Sequence, residues 1–155
     1  MARAVRKQKR RFVVRHSPIH GQGVFALQRI PKRTRIIEYK GVRISHEEAD
    51  DIFGEEQENS PHTMLFTVND KIVIDATRKG NSSRWINHSC SPNCETVDEK
   101  DRIFIESIRE IRIGEELSYD YNLQLSERHT KKAKREHPCF CGSRRCRKTI
   151  VGEKD

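Results

Sequence analysis

Arg84-Trp85-Ile86-Asn87-His88-Ser89-Cys90-Ser91-Pro92-Asn93 is the stretch that decides how this chain is read. It is dense in groups that hydrogen-bond, bind metal or turn the backbone, and poor in groups that only pack. Further along lies Gly114-Glu115-Glu116-Leu117-Ser118-Tyr119-Asp120-Tyr121. Its two tyrosines stand i, i+2, a spacing that in an extended strand puts both rings on one face. Near the C-terminus comes Cys139-Phe140-Cys141-Gly142-Ser143-Arg144-Arg145-Cys146. Each segment alone is a weak motif. Their succession in this order is specific.

The 155 residues suffice for one domain with a modest core, and only 34% of them are hydrophobic. No apolar run approaches the roughly 20 residues that cross a bilayer, so no membrane association is expected. The charged N-terminus has no apolar stretch behind it to read as a secretory signal, which predicts an intracellular, cytoplasmic site. The net charge of +8 is unevenly placed. Arg3, Arg6, Lys7, Lys9, Arg10 and Arg11 form a basic arm over residues 1–11. A second basic region, from Lys131 to Lys148, surrounds the C-terminal cysteines. Such ends offer weak, sequence-blind contact with nucleic-acid phosphates, although solvated tails explain them equally and no interleaved aromatics support base stacking. Against this, seven acids lie between Glu47 and Glu58. They form either a solvated face or a docking surface for a basic protein.

Short β-like runs dominate. Residues 12–14, 23–27 and 35–39 read as strands between Gly, Pro and charged turns. Met64–Val68 and Lys71–Asp75 flank a two-residue turn at Asn69-Asp70, and Cys94–Val97 and Arg102–Ile105 flank a polar turn over 98–101. Ser45-His46-Glu47-Glu48 has the capping-box pattern, so a helix is expected to run from there to about Phe53. Further helices are expected over 81–86 and 125–135. The whole reads as mostly β.

Five cysteines in a chain without a signal argue for metal ligation over a disulfide framework. Cys139, Cys141 and Cys146 can converge on one ion, but structural zinc wants four ligands. By spacing, either Cys90 or Cys94 is the fourth. His20-Gly21-Gln22-Gly23-Val24 does not open a helix after a strand, and so is not a dinucleotide fingerprint.

Taken together, the three segments resemble the SET-domain protein lysine methyltransferases with a post-SET zinc segment. Asp75-Ala76 and Gly80-Asn81 fit the same likeness, which runs from about Phe12 to Lys148. It implies a SET domain over 12–124, followed by a linker helix and post-SET segment over 125–155. The implied fold is β-clip-like, with short curved sheets, few short helices and a knot-like C-terminal crossing at Asn87-His88 and Asp120-Tyr121. Cofactor and target lysine would enter from opposite faces. The resemblance also gives Cys90 as the fourth zinc ligand. The cofactor would be S-adenosylmethionine, held by His20, the backbone from Gly21 through Gln22 and Gly23 to Val24, Arg84, Asn87, His88 and Tyr119, with Phe140 as a lid over the adenine. Tyr121 matches the family's catalytic tyrosine, and Tyr39 and Tyr119 would line the lysine channel. A hydroxyl at Tyr119 favours mono- or dimethylation.

One departure is Val42, where the Tyr-x-Gly segment is commonly followed by an acid. No Cys-rich pre-SET region is visible, so the chain looks similar to compact stand-alone prokaryotic members, bacterial and nucleoid-associated or exported. A eukaryotic member would work in the nucleus. The expected function is transfer of methyl groups to lysine of a basic protein, histone, histone-like or ribosomal, by a monomer. The rival reading is a non-catalytic, zinc-stabilised module that binds nucleic acid or chromatin-like complexes.

Overall fold

The computed structural model describes residues 10–56, 64–124 and 128–153. Most of the basic N-terminal arm lies outside the described residues, as does Glu58. The strands are β1 (Phe12–His16), β2 (Gln22–Ala26), β3 (Arg35–Glu38), β4 (Val42–Ile44), β5 (Leu65–Thr67), β6 (Val73–Asp75), β7 (Asn87–His88), β8 (Cys94–Glu99), β9 (Arg102–Ser107) and β10 (Ser118–Tyr119). The helices are α1 (His46–Glu56) and α2 (Lys131–Glu136), with a 3-10 turn at Ser82–Trp85. The strands make four small sheets among the described residues, ordered β1-β2, β3-β9-β8, β4-β6-β5 and β10-β7. The chain is therefore mostly β, as expected.

Local chemistry sets the boundaries. The β8-β9 hairpin turns through Lys100 and Asp101, both at positive φ. That is the two-residue turn whose twist matches the flanking strands. The β5-β6 hairpin is wider than the two-residue turn expected of Asn69-Asp70. The Asn69 side chain accepts from the Lys71 and Ile72 N–H groups, at 2.8 and 2.9 Å, and closes a larger loop. Helix α1 begins after Ser45, whose hydroxyl accepts from the Glu48 N–H at 3.1 Å. It runs past Phe53, and Glu47, Glu48, Asp50 and Asp51 are exposed on it. The segment expected to be helical over 81–86 is the 3-10 turn, capped by the Asn81 side chain. The C-terminal helix starts only at Lys131, because Thr130 caps it by accepting from the Ala133 N–H at 3.1 Å.

Val24, Ala26, Ile30, Ile86, Cys94, Ile105, Ile111, Leu117 and Tyr119 form the main buried cluster. Against it β7 and β10 pair in parallel, Asn87 beside Ser118 and His88 beside Tyr119. Parallel neighbours need a long crossover, and the β8-β9 hairpin lies within it. This pairing is the form the expected crossing takes. Asn93, 3% exposed, clamps it. Its Nδ2 donates to the Glu116 carbonyl at 2.8 Å and its Oδ1 accepts from the Ser118 N–H at 2.9 Å. The sequence suggests a turn residue there; the side chain instead supplies strand-like bonds across the crossing.

Replacing Asn93 with Ala strands the Glu116 carbonyl and the buried Ser118 N–H. At about 1–3 kcal/mol for each unsatisfied group, Asn93→Ala should lose roughly 3 kcal/mol, and Asn93→Asp, which sets a buried carboxylate oxygen against the Glu116 carbonyl, at least as much. Thermal denaturation of the two variants beside the parent measures this. Equal melting temperatures for all three would show that the clamp contributes nothing.

Candidate active site and zinc site

Cys90, Cys139, Cys141 and Cys146 converge, with all four sulfurs within 4.8 Å of one another. A tetrahedral zinc–thiolate site with Zn–S near 2.3 Å has sulfur–sulfur edges of about 3.8 Å. The Cys90 and Cys139 sulfurs stand 3.7 Å apart. Backbone N–H groups already face the sulfurs: Cys141 N–H to Cys139 Sγ at 3.4 Å, Arg147 N–H to Cys90 Sγ at 3.3 Å and Lys148 N–H to Cys146 Sγ at 3.3 Å. Burial works against ionising Cys141, but N–H groups of its surroundings and the neighbouring thiols bring it down to about 6. The donor set fits zinc. Cys94 lies elsewhere, fully buried in the main core, where burial pushes its thiol up to about 12. Cys90 thus completes the cluster, and Cys94 is a small core residue.

Two cavities meet beside this cluster. One, of about 300 Å³, is lined by Ile19, His20, Asn87, His88, Tyr121, His137, Pro138, Cys139, Phe140 and Ile150. The other, of about 90 Å³, is lined by His20, Gly21, Gln22, Met64, Arg84, Trp85, Asn87 and Tyr121. His20, Asn87 and Tyr121 line both. The cleft so formed gathers His20, Gly21, Gln22, Arg84, Asn87, His88 and Phe140, seven of the residues expected at the cofactor. Phe140 is 61% exposed at its edge, where a lid would stand. The Arg84 guanidinium lies over the Trp85 ring at 4.8 Å, and its buried Nε has no hydrogen-bond partner among the described residues.

Gly23, Val24 and Tyr119 are not among the lining residues. Val24 is in the core. A Cβ at Gly23 would strike the Glu116 carboxylate and come within 2.9 Å of Ser17 Cβ. The glycine therefore makes room for Glu116. Gly21 has φ +43, a conformation that costs other residues energy.

The Asn87 and His88 side chains are turned into the protein. Asn87 Nδ2 donates to the His20 carbonyl at 3.1 Å, the Gln22 carbonyl at 3.0 Å and Glu116 Oε1 at 2.8 Å. Glu116 Oε1 also accepts from the Ser17 hydroxyl at 2.6 Å. The Tyr121 N–H donates to His88 Nδ1 at 2.9 Å, which places the ring proton on Nε2, 3.4 Å from Cys90 Sγ. Burial, opposed by Asp120 and reinforced by Arg147, lowers the His88 pKa to about 4, in keeping with this neutral tautomer. The two side chains brace the cleft from behind.

The three tyrosines come together. The Tyr119 and Tyr121 ring centroids are 4.8 Å apart, and His88 meets the Tyr121 ring edge-on at 5.4 Å. Tyr39, buried, packs on Phe66 at 5.2 Å. Burial pushes all three phenols well up, and Tyr39 adds to the shift of both others. The Tyr121 hydroxyl donates to the Ile86 carbonyl. Sequence reasoning placed Asp120 at the crossing without a side-chain role, and missed the side-chain roles of Glu116, Asn93, Arg147 and Met64. Apart from Met64, these were visible only as ordinary polar residues inside or beside the motifs.

The SET domain family matches residues 21–122, and the chain belongs to it. It is 38% identical over 151 residues to "Histone-lysine N-methyltransferase, H3 lysine-4 specific" of Mycosarcoma maydis, covering 94% of this chain and 10% of that protein. It is 40% identical over 136 residues to human "Histone-lysine N-methyltransferase 2D", covering 85% of this chain and 2% of that protein. It is 35% identical over 152 residues to "Histone-lysine N-methyltransferase set1" of Dictyostelium discoideum, covering 95% and 10%. The chain thus spans a tenth or less of these three relatives. All three are eukaryotic, which lends no support to the bacterial and prokaryotic-like options. Among the described residues no helix is long and apolar enough to cross a membrane.

Metal analysis should find about one zinc per chain. Cys94→Ala should keep it and Cys90→Ala should lose it. Full occupancy in the Cys90 variant would transfer the fourth ligand to another group.

Proposed function

We propose that the chain is a protein-lysine N-methyltransferase that uses S-adenosylmethionine and acts on a histone. The observation that carries this reading is Tyr121, its hydroxyl pinned to the Ile86 carbonyl at the meeting of two cavities that gather most of the expected cofactor residues. The names of the SET-domain relatives support the same class, and H3 lysine 4 is the first target to test. The exposed Glu47, Glu48, Asp50 and Asp51 of α1 suit a basic histone tail by charge. The exposed cations around the zinc cluster, among them Lys131, Lys132, Arg144 and Arg145, suit weak contact with DNA phosphates. A monomer working in the nucleus is the arrangement that fits such a substrate.

Bound S-adenosylmethionine would supply a methyl group on a sulfonium. The target amine would attack that carbon in line as the carbon–sulfur bond broke. The nitrogen would shed one proton before attack, and the methylated amine would keep the positive charge that leaves sulfur. What the chain must do is align and dry the reactants. At pH 7.4, a lysine with the ordinary pKa near 10.4 costs roughly 4 kcal/mol to deprotonate. The buried phenols of Tyr39, Tyr119 and Tyr121 offer an environment that disfavours the ammonium. Tyr121, held at its ring edge by His88 and at its hydroxyl by Ile86, orients the amine toward the methyl. A non-catalytic module would need neither the pinned hydroxyl nor the cleft.

Tyr121→Phe should lower turnover on the order of 10²-fold, the scale on which small misplacements cost rate, with cofactor affinity nearly unchanged. Transfer from labelled S-adenosylmethionine to histone H3 and its amino-terminal peptides, alongside calorimetric binding, measures both. No transfer to any histone by the parent chain, together with no cofactor binding, would end this reading.

Tyr119 should set the product. We expect mono- and dimethyl-lysine from the parent, and a shift toward trimethyl-lysine in Tyr119→Phe, which frees the space of a hydroxyl-held water. Mass spectrometry of the product reads this directly. An unchanged distribution would remove Tyr119 from that role.

A further inference from the structure

We infer that Arg147 and Asp120 form a latch that holds the zinc-binding segment against the strand carrying Tyr121, and that Arg147 is thereby a positioning residue for the cleft. One wall of the larger cavity comes from this C-terminal segment, through His137, Pro138, Cys139, Phe140 and Ile150. The opposite wall comes from Asn87, His88 and Tyr121. The shape of the cleft therefore depends on how the segment is seated. Zinc on Cys90 fixes one point, Ser91 Oγ lies 2.7 Å from Ser143 Oγ, and the Leu123 backbone pairs with Ile150 and Gly152 at 3.1 and 2.9 Å, but none of these grips the chain beside Tyr121 by a side-chain fork.

Arg147 supplies that grip. Its Nη1 donates to Asp120 Oδ2 at 2.6 Å and its Nη2 to Asp120 Oδ1 at 3.0 Å. Such a fork fixes orientation as well as distance. The Arg147 N–H donates to Cys90 Sγ at 3.3 Å. On the other side, Asp120 precedes Tyr121, whose N–H donates to His88 Nδ1, and His88 Nε2 faces the same Cys90 sulfur. The contacts close a ring that runs from sulfur through Arg147, Asp120, Tyr121 and His88 back to sulfur. The zinc cluster and the backbone of Tyr121 are thus seated by one circuit. Burial opposes the ionised Asp120, but the Arg147 fork and the Asn122 N–H outweigh it and hold its carboxyl below the usual range. Among the described residues Asp120 is the carboxylate Arg147 pairs with, and Arg147 Nε is buried without a protein partner. Removing Asp120 would leave a half-buried guanidinium uncompensated. A lysine in its place would keep the charge and lose the fork.

The cofactor arm of this inference rests on the methyltransferase reading; the latch itself does not. The test uses the zinc-loaded chain with Arg147→Ala, Arg147→Lys, Asp120→Asn and the double variant Arg147→Ala/Asp120→Asn. Zinc content, hydrogen exchange of amides in 137–150, and affinity for S-adenosylmethionine are measured on each. We expect zinc to stay bound and exchange to quicken. The cofactor dissociation constant should rise about tenfold in Arg147→Ala and in Asp120→Asn, the scale found for residues that orient ligands at one remove, and hardly further in the double. Arg147→Lys should fall between parent and Arg147→Ala, and the KM for histone should not move. Parent-like exchange and affinity in both single variants would overturn the latch, as would effects that multiply in the double variant. Loss of zinc from Arg147→Ala would also overturn it, by making Arg147 a support of the metal site alone. A parent chain that binds no cofactor, with exchange still quickened and non-additive, would keep the latch and discard the methyltransferase reading. A parent that binds cofactor, with all variants parent-like, would do the reverse.

Discussion

The parallel contact between Asn87-His88 and Ser118-Tyr119 is the constraint on which the rest of the structure depends. Two strands of two residues each cannot stand alone. They hold because Asn93 bridges the segments from below and because Ile86, Leu117 and Tyr119 are buried beside them in the main core. The consequence is spatial. Residues 86–90 and 116–121 come to lie against each other, so that a zinc ligand, the wall of a cleft and two phenols share one small region. Glu116 extends the arrangement to β2, where its carboxylate accepts from Ser17 and Asn87 and only a glycine fits at position 23.

Much of this was legible in the sequence, for a physical reason in each case. The cysteine cluster could be read because metal ligation depends on residue type and number, and one ion can gather distant thiols. The β8-β9 hairpin could be read because alternation and a polar turn are local signals. The strands β7 and β10 could not, since two residues carry no periodicity. Nor does sequence say which way a polar side chain points. Asn87 and His88 stand in the right segment, yet their side chains brace the backbone behind the cleft. Gly23 belongs to a motif that suggests close approach of a ligand, and Glu116 also lies close to it. The linker helix was expected to start at Leu125, which lies outside the described residues; among those described the helix begins at Lys131. Its start is set by the Thr130 cap.

The inward-turned side chains bear on how the cleft would recognise a ligand. With the two hydrogens of the Asn87 amide shared among three acceptors and both His88 nitrogens facing protein groups, the donors of these side chains are committed within the protein. Both are held in place, because moving either side chain would break contacts to β2, to Tyr121 or to the zinc cluster. A neutral His88 suits this role. A protonated ring would lose its acceptor for the Tyr121 N–H and face that donor with a second one.

The same reasoning limits what Tyr121 can do. Its phenol is pushed up by burial, so it is not a base near neutral pH. Its proton is directed at the Ile86 carbonyl, so its oxygen is left as an acceptor. In the proposed reaction positive charge moves from sulfur to nitrogen and never leaves the reacting line. A site for such a step needs no strong acid or base. It needs fixed oxygen dipoles that tolerate a cation throughout, in surroundings dry enough to keep the incoming amine neutral. A hydroxyl held at both its ring and its proton, between two cavities and beside two other buried phenols, meets that requirement by position alone.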